Sequence, residues 1–185
     1  MNSSTDEELV RSHLSGDQKA FQKLYNRYRV RLQLFCLKLL QDSSQAEDIV
    51  QITFTKAFQR LTSLDSPSLF YYWLFTIARN EVYGFLRQSR RNGTVNLEEE
   101  NVFDERTPHE EFIEGESRDI IMNSIDELKL EYREVLVLRQ FEKLSYNEIA
   151  AITGHSLSAI ESRLFKARKA LAKKLAPFFE ERKSP

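Results

Sequence analysis

The stretch from Leu144 to Lys174, LSYNEIAAITGHSLSAIESRLFKARKALAKK, constrains the fold more than any other part of the chain. Ser145 and Glu148 have the S-x-x-E spacing of a capping box, and Leu144 and Ile149 sit where a hydrophobic staple would close it. Ile149 and Ile152 give the helix that follows one apolar side. Gly154 can end it in the left-handed conformation. Ser156 is placed to cap a second helix, whose inward stripe is Ile160, Leu164, Ala167 and Leu171. The outward face of that helix carries Ser158, Ser162, Arg163, Lys166, Lys169 and Lys173. Basic helical hairpins are common as plain solvated surface. Here, however, small polar side chains open the second helix and leave room for base edges, while the cations beyond can reach phosphate. The pattern predicts a helix-turn-helix that binds DNA.

The remainder of the chain is also written in helical periods, and 185 residues with only five Gly and four Pro point to an all-α protein. No apolar run approaches the roughly 20 residues of a membrane span, and the N-terminal MNSSTDEE does not read as a signal peptide. The lone Cys36 leaves no internal disulfide framework and fits a reducing, cytoplasmic setting. Charge is divided unevenly. Residues 1–91 hold 13 Lys and Arg against 9 Asp and Glu, residues 92–116 hold 1 against 9, and residues 117–185 hold 13 against 10. Two mildly basic helical domains, 1–91 and 117–185, are therefore expected to flank an acidic flexible linker at 92–116, which lacks an apolar pattern of its own. The free domains should be separable on a mobile connection and clamped together only by a partner, although ionic contacts could hold a compact form at low salt.

Within the first domain, Thr5 and Glu8 can box a short helix bearing Leu9, Val10 and Leu14. A long helix follows, burying Phe21, Leu24, Tyr25, Tyr28, Leu32, Phe35, Cys36 and Leu39 and leaving Lys23, Arg27, Arg31 and Lys38 in water. Ser44 and Glu47 are placed to box a third helix with Ile49, Val50, Phe54, Ala57, Phe58 and Leu61 inward. Asp48, Gln51 and Thr55 fall on its other side, a solvated face by spacing alone. After a Ser-rich turn with Ser66-Pro67 as a helix start, LFYYWLFTIARNEVYGFLRQSRR sets Phe70, Tyr71, Tyr72, Trp73 and Phe75 before Arg79, Arg87, Arg90 and Arg91. Rings beside cations suit single-stranded nucleic acid. Trp73, Ile77 and Phe70 are expected in the core, so the arginines carry that reading. In the second domain, Ile120, Ile121, Ile125 and Leu128, then Tyr132, Val135, Leu136 and Leu138, mark two helices beneath the helix-turn-helix.

In this order the motifs resemble a bacterial RNA polymerase sigma factor of the sigma-70 family, in its extracytoplasmic-function (ECF) group. GDQKAFQKLYNRY with AEDIVQITFTKAF is similar to the core-polymerase-binding segment. WLFTIARN is similar to the promoter-melting segment, and LKLEYREVLVLRQFEKLSYNEIAAITGHSLSAIESRLFKARKAL to the segment that reads the −35 element.

The resemblance implies roles that spacing could not assign. Asp48, Gln51 and Phe54 would dock on the clamp helices of the polymerase's largest subunit, with the second domain on its flap. The Ser63–Leu69 turn, with Ser63, Asp65, Ser66 and Ser68, would capture an unstacked base of the −10 element, and Arg79 and Asn80 would meet the melted strand. Ser158, Glu161, Ser162, Arg163, Phe165 and Lys166 match the major-groove positions, with base preference expected in Arg163 and Lys166 beside Phe165. The acidic linker would thread the polymerase's RNA path. Partners implied are core RNA polymerase, promoter DNA and an anti-sigma factor, with no cofactor, metal or catalytic centre and no stable membrane insertion. Three residues depart from the family pattern: Ile52 for a glutamate, Gly84 for an aspartate, and Glu161 where a basic residue is usual.

Two readings from other classes compete. An autonomous DNA-binding regulator would share the helix-turn-helix but has no need of docking and melting segments. A nucleic-acid enzyme is opposed by the scattered His13, His109 and His155 and by the lack of an ordered carboxylate pair.

Overall fold

The computed structural model describes residues 4–92 and 113–181, and every regular element among them is helical. Most of the acidic segment assigned to 92–116 lies outside the described residues; the helix that follows it begins at Ile113, before the expected boundary.

Helix α1 (Asp6–Leu14) starts with the expected box: the Thr5 hydroxyl accepts from the Glu8 N–H at 3.2 Å, and the Glu8 carboxylate accepts from the Thr5 N–H at 2.8 Å. Helix α2 (Gln18–Leu40) is capped by Asp17, whose carboxylate accepts from the Lys19 N–H. Helix α3 (Ser43–Arg60) starts earlier than Ser44 and Glu47 suggest. Its cap is Asp42, which accepts from the Gln45 N–H at 2.9 Å. A carboxylate at that position is an acceptor as good as serine and carries the charge the helix N-terminus favours. Two 3₁₀ turns, Leu61–Ser63 and Pro67–Leu69, lead into α4 (Phe70–Arg91). Ser66 stands before the proline as expected, but its hydroxyl contacts that of Ser68 instead of capping a backbone N–H.

Helices α1 to α4 share a core of Leu24, Leu32, Phe35, Phe70, Leu74 and Phe75, all essentially without solvent contact. Phe70 was expected there; Trp73 and Ile77 are only partly buried at its edge. Phe58, expected inward, is exposed, although one side of its ring lies against Phe21 and His13. Leu14 is likewise exposed. Gly84 in α4 faces open space, so a side chain would fit there; the helix carries roughly 1 kcal/mol of glycine cost without a packing reason.

The second half comprises α5 (Ile113–Asp126), α6 (Leu130–Gln140), α7 (Tyr146–Thr153) and α8 (Leu157–Glu181). Val135, Leu136, Val137 and Leu138 of α6, Ile149 and Ile152 of α7, and Ile160, Leu164 and Ala167 of α8 close its core. The two halves do not stand apart. Helix α6 lies against α2 and α7 against α4, and the buried apolar residues form one continuous cluster through both.

Candidate nucleic-acid interface

The helix-turn-helix forms as its local signals require. The Ser145 hydroxyl accepts from the Glu148 N–H, the Glu148 carboxylate accepts from the Ser145 N–H at 2.7 Å, and Gly154 ends α7 at a φ of 70°. The Ser156 hydroxyl accepts from the Ala159 N–H at 3.3 Å and opens α8. With Ile160, Leu164 and Ala167 buried, the opposite side of α8 is presented to solvent: Ser158, Glu161, Ser162, Phe165, Lys166 and Lys169 are all exposed. Phe165 is 69% exposed, a large ring with no core to serve. Arg163 departs from the expected outward face. Its side chain is only 24% exposed and lies on the flank of α8, with Nη2 at 3.8 Å from the Glu131 carboxylate of α6.

On the first domain, Asp48, Gln51 and Ile52 form an exposed strip along α3. Phe54 does not join it. That ring is buried, packed on Tyr25 at 4.7 Å and edge-on to Phe21 at 6.5 Å, so it shapes α3 from within. Ser63, Asp65 and Ser68 are exposed on the turns before α4, and the Ser63 hydroxyl donates to the Arg60 carbonyl at 2.7 Å.

Arg79 and Asn80 are neighbours on α4 with different surroundings. Asn80 is exposed. Arg79 is 14% exposed at its side chain, and its Nε donates to the Glu134 carboxylate of α6 at 2.7 Å. Glu134 is fully buried and also accepts from the Tyr83 hydroxyl at 3.0 Å, while the Arg79 guanidinium stacks on the Tyr83 ring at 4.5 Å. Burial pushes the Glu134 carboxyl above its ordinary range, against the pull of Arg79 and Tyr83, and burial beside Glu134 holds the Tyr83 phenol up as well.

Around this centre runs a set of contacts that sequence reasoning missed. Arg31 of α2 donates to Glu142 at 2.8 Å, and the Tyr71 hydroxyl donates to the same carboxylate at 2.9 Å. Tyr72 donates to Glu148, the capping-box acid of α7, whose carboxyl that bond holds below its usual range. Lys38 pairs with Asp126 at 2.8 Å. Arg133, buried in α6, donates to the Leu39 carbonyl at the C-terminal end of α2 at 3.0 Å and to the Asp126 carbonyl. Arg31 and Lys38 were expected in water, as was Arg27, which instead pairs with Asp6. A solvated lysine and one paired across a domain boundary have the same spacing, so no local signal separates them.

Two family models match this chain, the one described as Sigma-70 region 2 over residues 24–92 and the one described as Sigma-70, region 4 over residues 118–171. The RNA polymerase sigma-H factor of Pseudomonas aeruginosa is 31% identical over 186 aligned residues, covering 95% of this chain and 96% of that protein. The ECF RNA polymerase sigma-E factor of Escherichia coli is 34% identical over 183, covering 94% and 95%. The chain belongs to the sigma-70 family, in its ECF group. As an ECF sigma factor it is a transcription initiation factor that directs RNA polymerase to promoters. Two solved structures share its fold. CnrH in complex with the cytosolic domain of CnrY is 27% identical, with a TM-score of 0.68 and coverage of 93% of this chain and 97% of that one. The sigma factor RpoE of Bartonella quintana, in complex with the anti-sigma factor NepR, is 28% identical, with a TM-score of 0.70 and coverage of 85% and 98%. No helix among the described residues of this sigma factor is long and apolar enough to cross a membrane.

Proposed function

We propose that this ECF sigma factor works in the cytoplasm as a dissociable, non-catalytic specificity subunit, with its tasks divided among three surfaces. The exposed side of α8 reads the −35 element through Ser158, Glu161, Ser162, Phe165 and Lys166, with Arg163 joining from the flank once it leaves Glu131. The observation that carries this assignment is the run of small, acidic, aromatic and basic side chains exposed at the N-terminal end of a helix whose other side is fully buried. That end is where a recognition helix comes closest to base edges. Glu161 can accept from a cytosine amine, and Phe165 can pack on a thymine methyl.

The turns at Ser63, Asp65, Ser66 and Ser68, followed by Arg79 and Asn80, serve the −10 element. The turns offer hydroxyls and a carboxylate to a base taken out of the stack, and α4 offers a cation and an amide to the melted strand. Asp48 and Gln51 dock on the clamp helices of core polymerase, with Phe54 acting from the core beneath them and Ile52 adding an apolar contact where the family pattern has glutamate. The flap of the polymerase would hold the second domain, and an anti-sigma factor would bind the protein, as NepR is bound to the Bartonella quintana sigma factor.

Purified protein mixed with bacterial core polymerase should start transcripts at specific promoters. Exchanging Asp48 and Gln51 together for alanine should weaken core association at least tenfold while the circular dichroism spectrum stays unchanged. Retained core affinity in that double variant would remove the docking assignment. Copurification from the native host under non-inducing conditions tests the anti-sigma partner, and recovery of only free or polymerase-bound protein would speak against it.

A further inference from the structure

The N-terminal end of α8 carries the wrong sign of charge for a surface that meets phosphate. Two charged side chains stand between Leu157 and Phe165. Glu161 is exposed, whereas Arg163 is turned aside to Glu131 of α6, a contact made within the second domain. Among the described residues Glu161 forms no ion pair. The helix supplies no partner for it either, since the residues three and four positions away are Leu157, Ser158, Leu164 and Phe165. The first exposed cation along α8 is Lys166. The opening turns therefore present two hydroxyls, a carboxylate and a ring, and Glu161 lies between Ser158 and Phe165 on the exposed side.

An ionised carboxylate only accepts hydrogen bonds. Phosphate oxygens repel it, and most polar atoms on the floor of the major groove are acceptors too: N7 and O6 of guanine, O4 of thymine, N7 of adenine. Two donors are available there, the N4 amine of cytosine and the N6 amine of adenine. They are not equivalent for a group with two oxygens. Beside the adenine amine stands N7, which would face the second carboxylate oxygen. Beside the cytosine amine stands a C–H, which does not repel it. Cytosine is thus the base that satisfies Glu161, adenine satisfies it in part, and guanine and thymine leave a desolvated charge against an acceptor. Phe165, one turn further on and 69% exposed, is placed to close over the contact and exclude water, which sharpens both the attraction and the rejection.

We propose that Glu161 selects cytosine at one position of the −35 element and bars guanine and thymine from it, so that the opening turns of α8 accept from the DNA where a basic side chain would donate. The inference deepens, and rests on, the assignment of α8 to that element. It also gives the acid a second effect. Duplex without the matching cytosine meets an unpaired negative charge at the point of closest approach, so wrong sequences are held less tightly than the lysines alone would hold them.

The test uses holoenzyme reconstituted from full-length protein and bacterial core polymerase, on a promoter that it transcribes, with each base pair of the −35 element exchanged in turn. The wild type should favour cytosine at one position by about tenfold over guanine or thymine, with adenine between. Glu161→Gln keeps the length of the side chain but offers an amide that can pair with N6 and N7 of adenine together. It should move the preference at that position from cytosine to adenine and leave the other positions as they were. Glu161→Ala should flatten the preference there and raise transcription from the mismatched promoters about fivefold, because the rejection leaves with the charge. Glu161 is exposed, so both variants should melt with the wild type. Preferences unchanged at every position in both variants overturn the inference, as does a responding position at which the wild type prefers guanine or thymine. Phe165→Ala and Lys166→Ala, run on the same promoters, separate the two levels. If either alters a base preference while the Glu161 variants do not, α8 reads the element without Glu161. If no α8 variant alters any preference, the assignment of α8 itself fails.

Discussion

Phe165 and Arg163 show how much a single side chain's surroundings can revise an inference from spacing. Both belong to the outer half of α8 in a helical projection, yet one is 69% exposed and the other turns its guanidinium toward Glu131. A ring that is mostly in solvent contributes little to stability, so Phe165→Ala should leave the melting temperature unchanged, within about 0.5 kcal/mol of folding free energy. If the ring rests on a base edge, the same substitution should relax promoter preference at one base pair of the −35 element. Discrimination there should fall by about 1–3 kcal/mol, roughly ten- to a hundredfold. Holoenzyme transcription on promoters varied through that element, run beside a thermal melt, reads both quantities. A variant that loses stability but keeps its base preference would show that Phe165 serves the fold and not the groove. Arg163→Ala should matter less in the free protein, since its contact is a long one to an exposed carboxylate, and such pairs are typically worth under about 1 kcal/mol.

At the scale of elements, what was legible in the sequence was what is local. Thr5 with Glu8, Ser145 with Glu148, and Gly154 each act within four residues of themselves, and all three formed as their spacing predicts. The third box failed for an equally local reason: Asp42, just upstream, is an acceptor that takes the cap before Ser44 can. Phe54 lies inward as its helical period predicts, so the docking role that the resemblance of its segment implies would be exerted from the core beneath Asp48 and Gln51. The aromatic stretch of α4 divides between core and domain contact, and its phenols have a consequence for pH. Tyr71 and Tyr83 are held above the ordinary tyrosine value of 10.0, first by burial and then by the Glu142 and Glu134 charges beside them. Tyr28 is raised by burial and by its bond to Asp6, and burial pushes the Cys36 thiol up to about 12 from 9.0. The folded state therefore keeps protons that the unfolded chain releases, so these groups favour folding fully below about pH 9 and progressively less as pH rises through 10. Thermal melts should show the midpoint falling steadily between about pH 9 and pH 11, and falling less in a Tyr71→Phe, Tyr83→Phe double variant. A midpoint flat over that range would mean that the phenols are wetter than their packing indicates.

At the scale of the whole molecule, spacing and composition favoured two separable domains, and the structure joins them through one buried cluster and a ring of ion pairs. Nothing local could have revealed this. Arg31 and Glu142 are 111 residues apart in the chain, and Lys38 and Asp126 are 88 apart. Pairs of this kind are of two sorts. Arg31 with Glu142 and Lys38 with Asp126 are part-buried pairs with one partner still reached by solvent, Arg31 in the first and Asp126 in the second, so salt can screen them in part. Arg79 with Glu134 is enclosed, and Arg133 reaches the Leu39 carbonyl from a buried position. Raising the salt from about 0.1 M to about 1 M shortens the screening length from roughly 10 Å to roughly 3 Å, yet it acts weakly where ions cannot enter. The free wild-type protein should consequently keep a small radius of gyration across that range. Arg133→Met should not. Its flexible apolar side chain fills much of the same space but leaves the Leu39 and Asp126 carbonyls without the charged donor they had, a loss of about 1.5–3 kcal/mol for each such bond. Opening exposes those carbonyls to water and relieves the loss, whereas unfolding would also sacrifice the cores of both halves. The variant should therefore expand at every salt concentration while its helical circular dichroism stays near that of the wild type. Scattering that showed the wild type itself expanding with salt would place the hold between the domains in the part-buried pairs, and an Arg133→Met protein as compact as its parent would leave the enclosed contacts without a role in keeping the molecule shut.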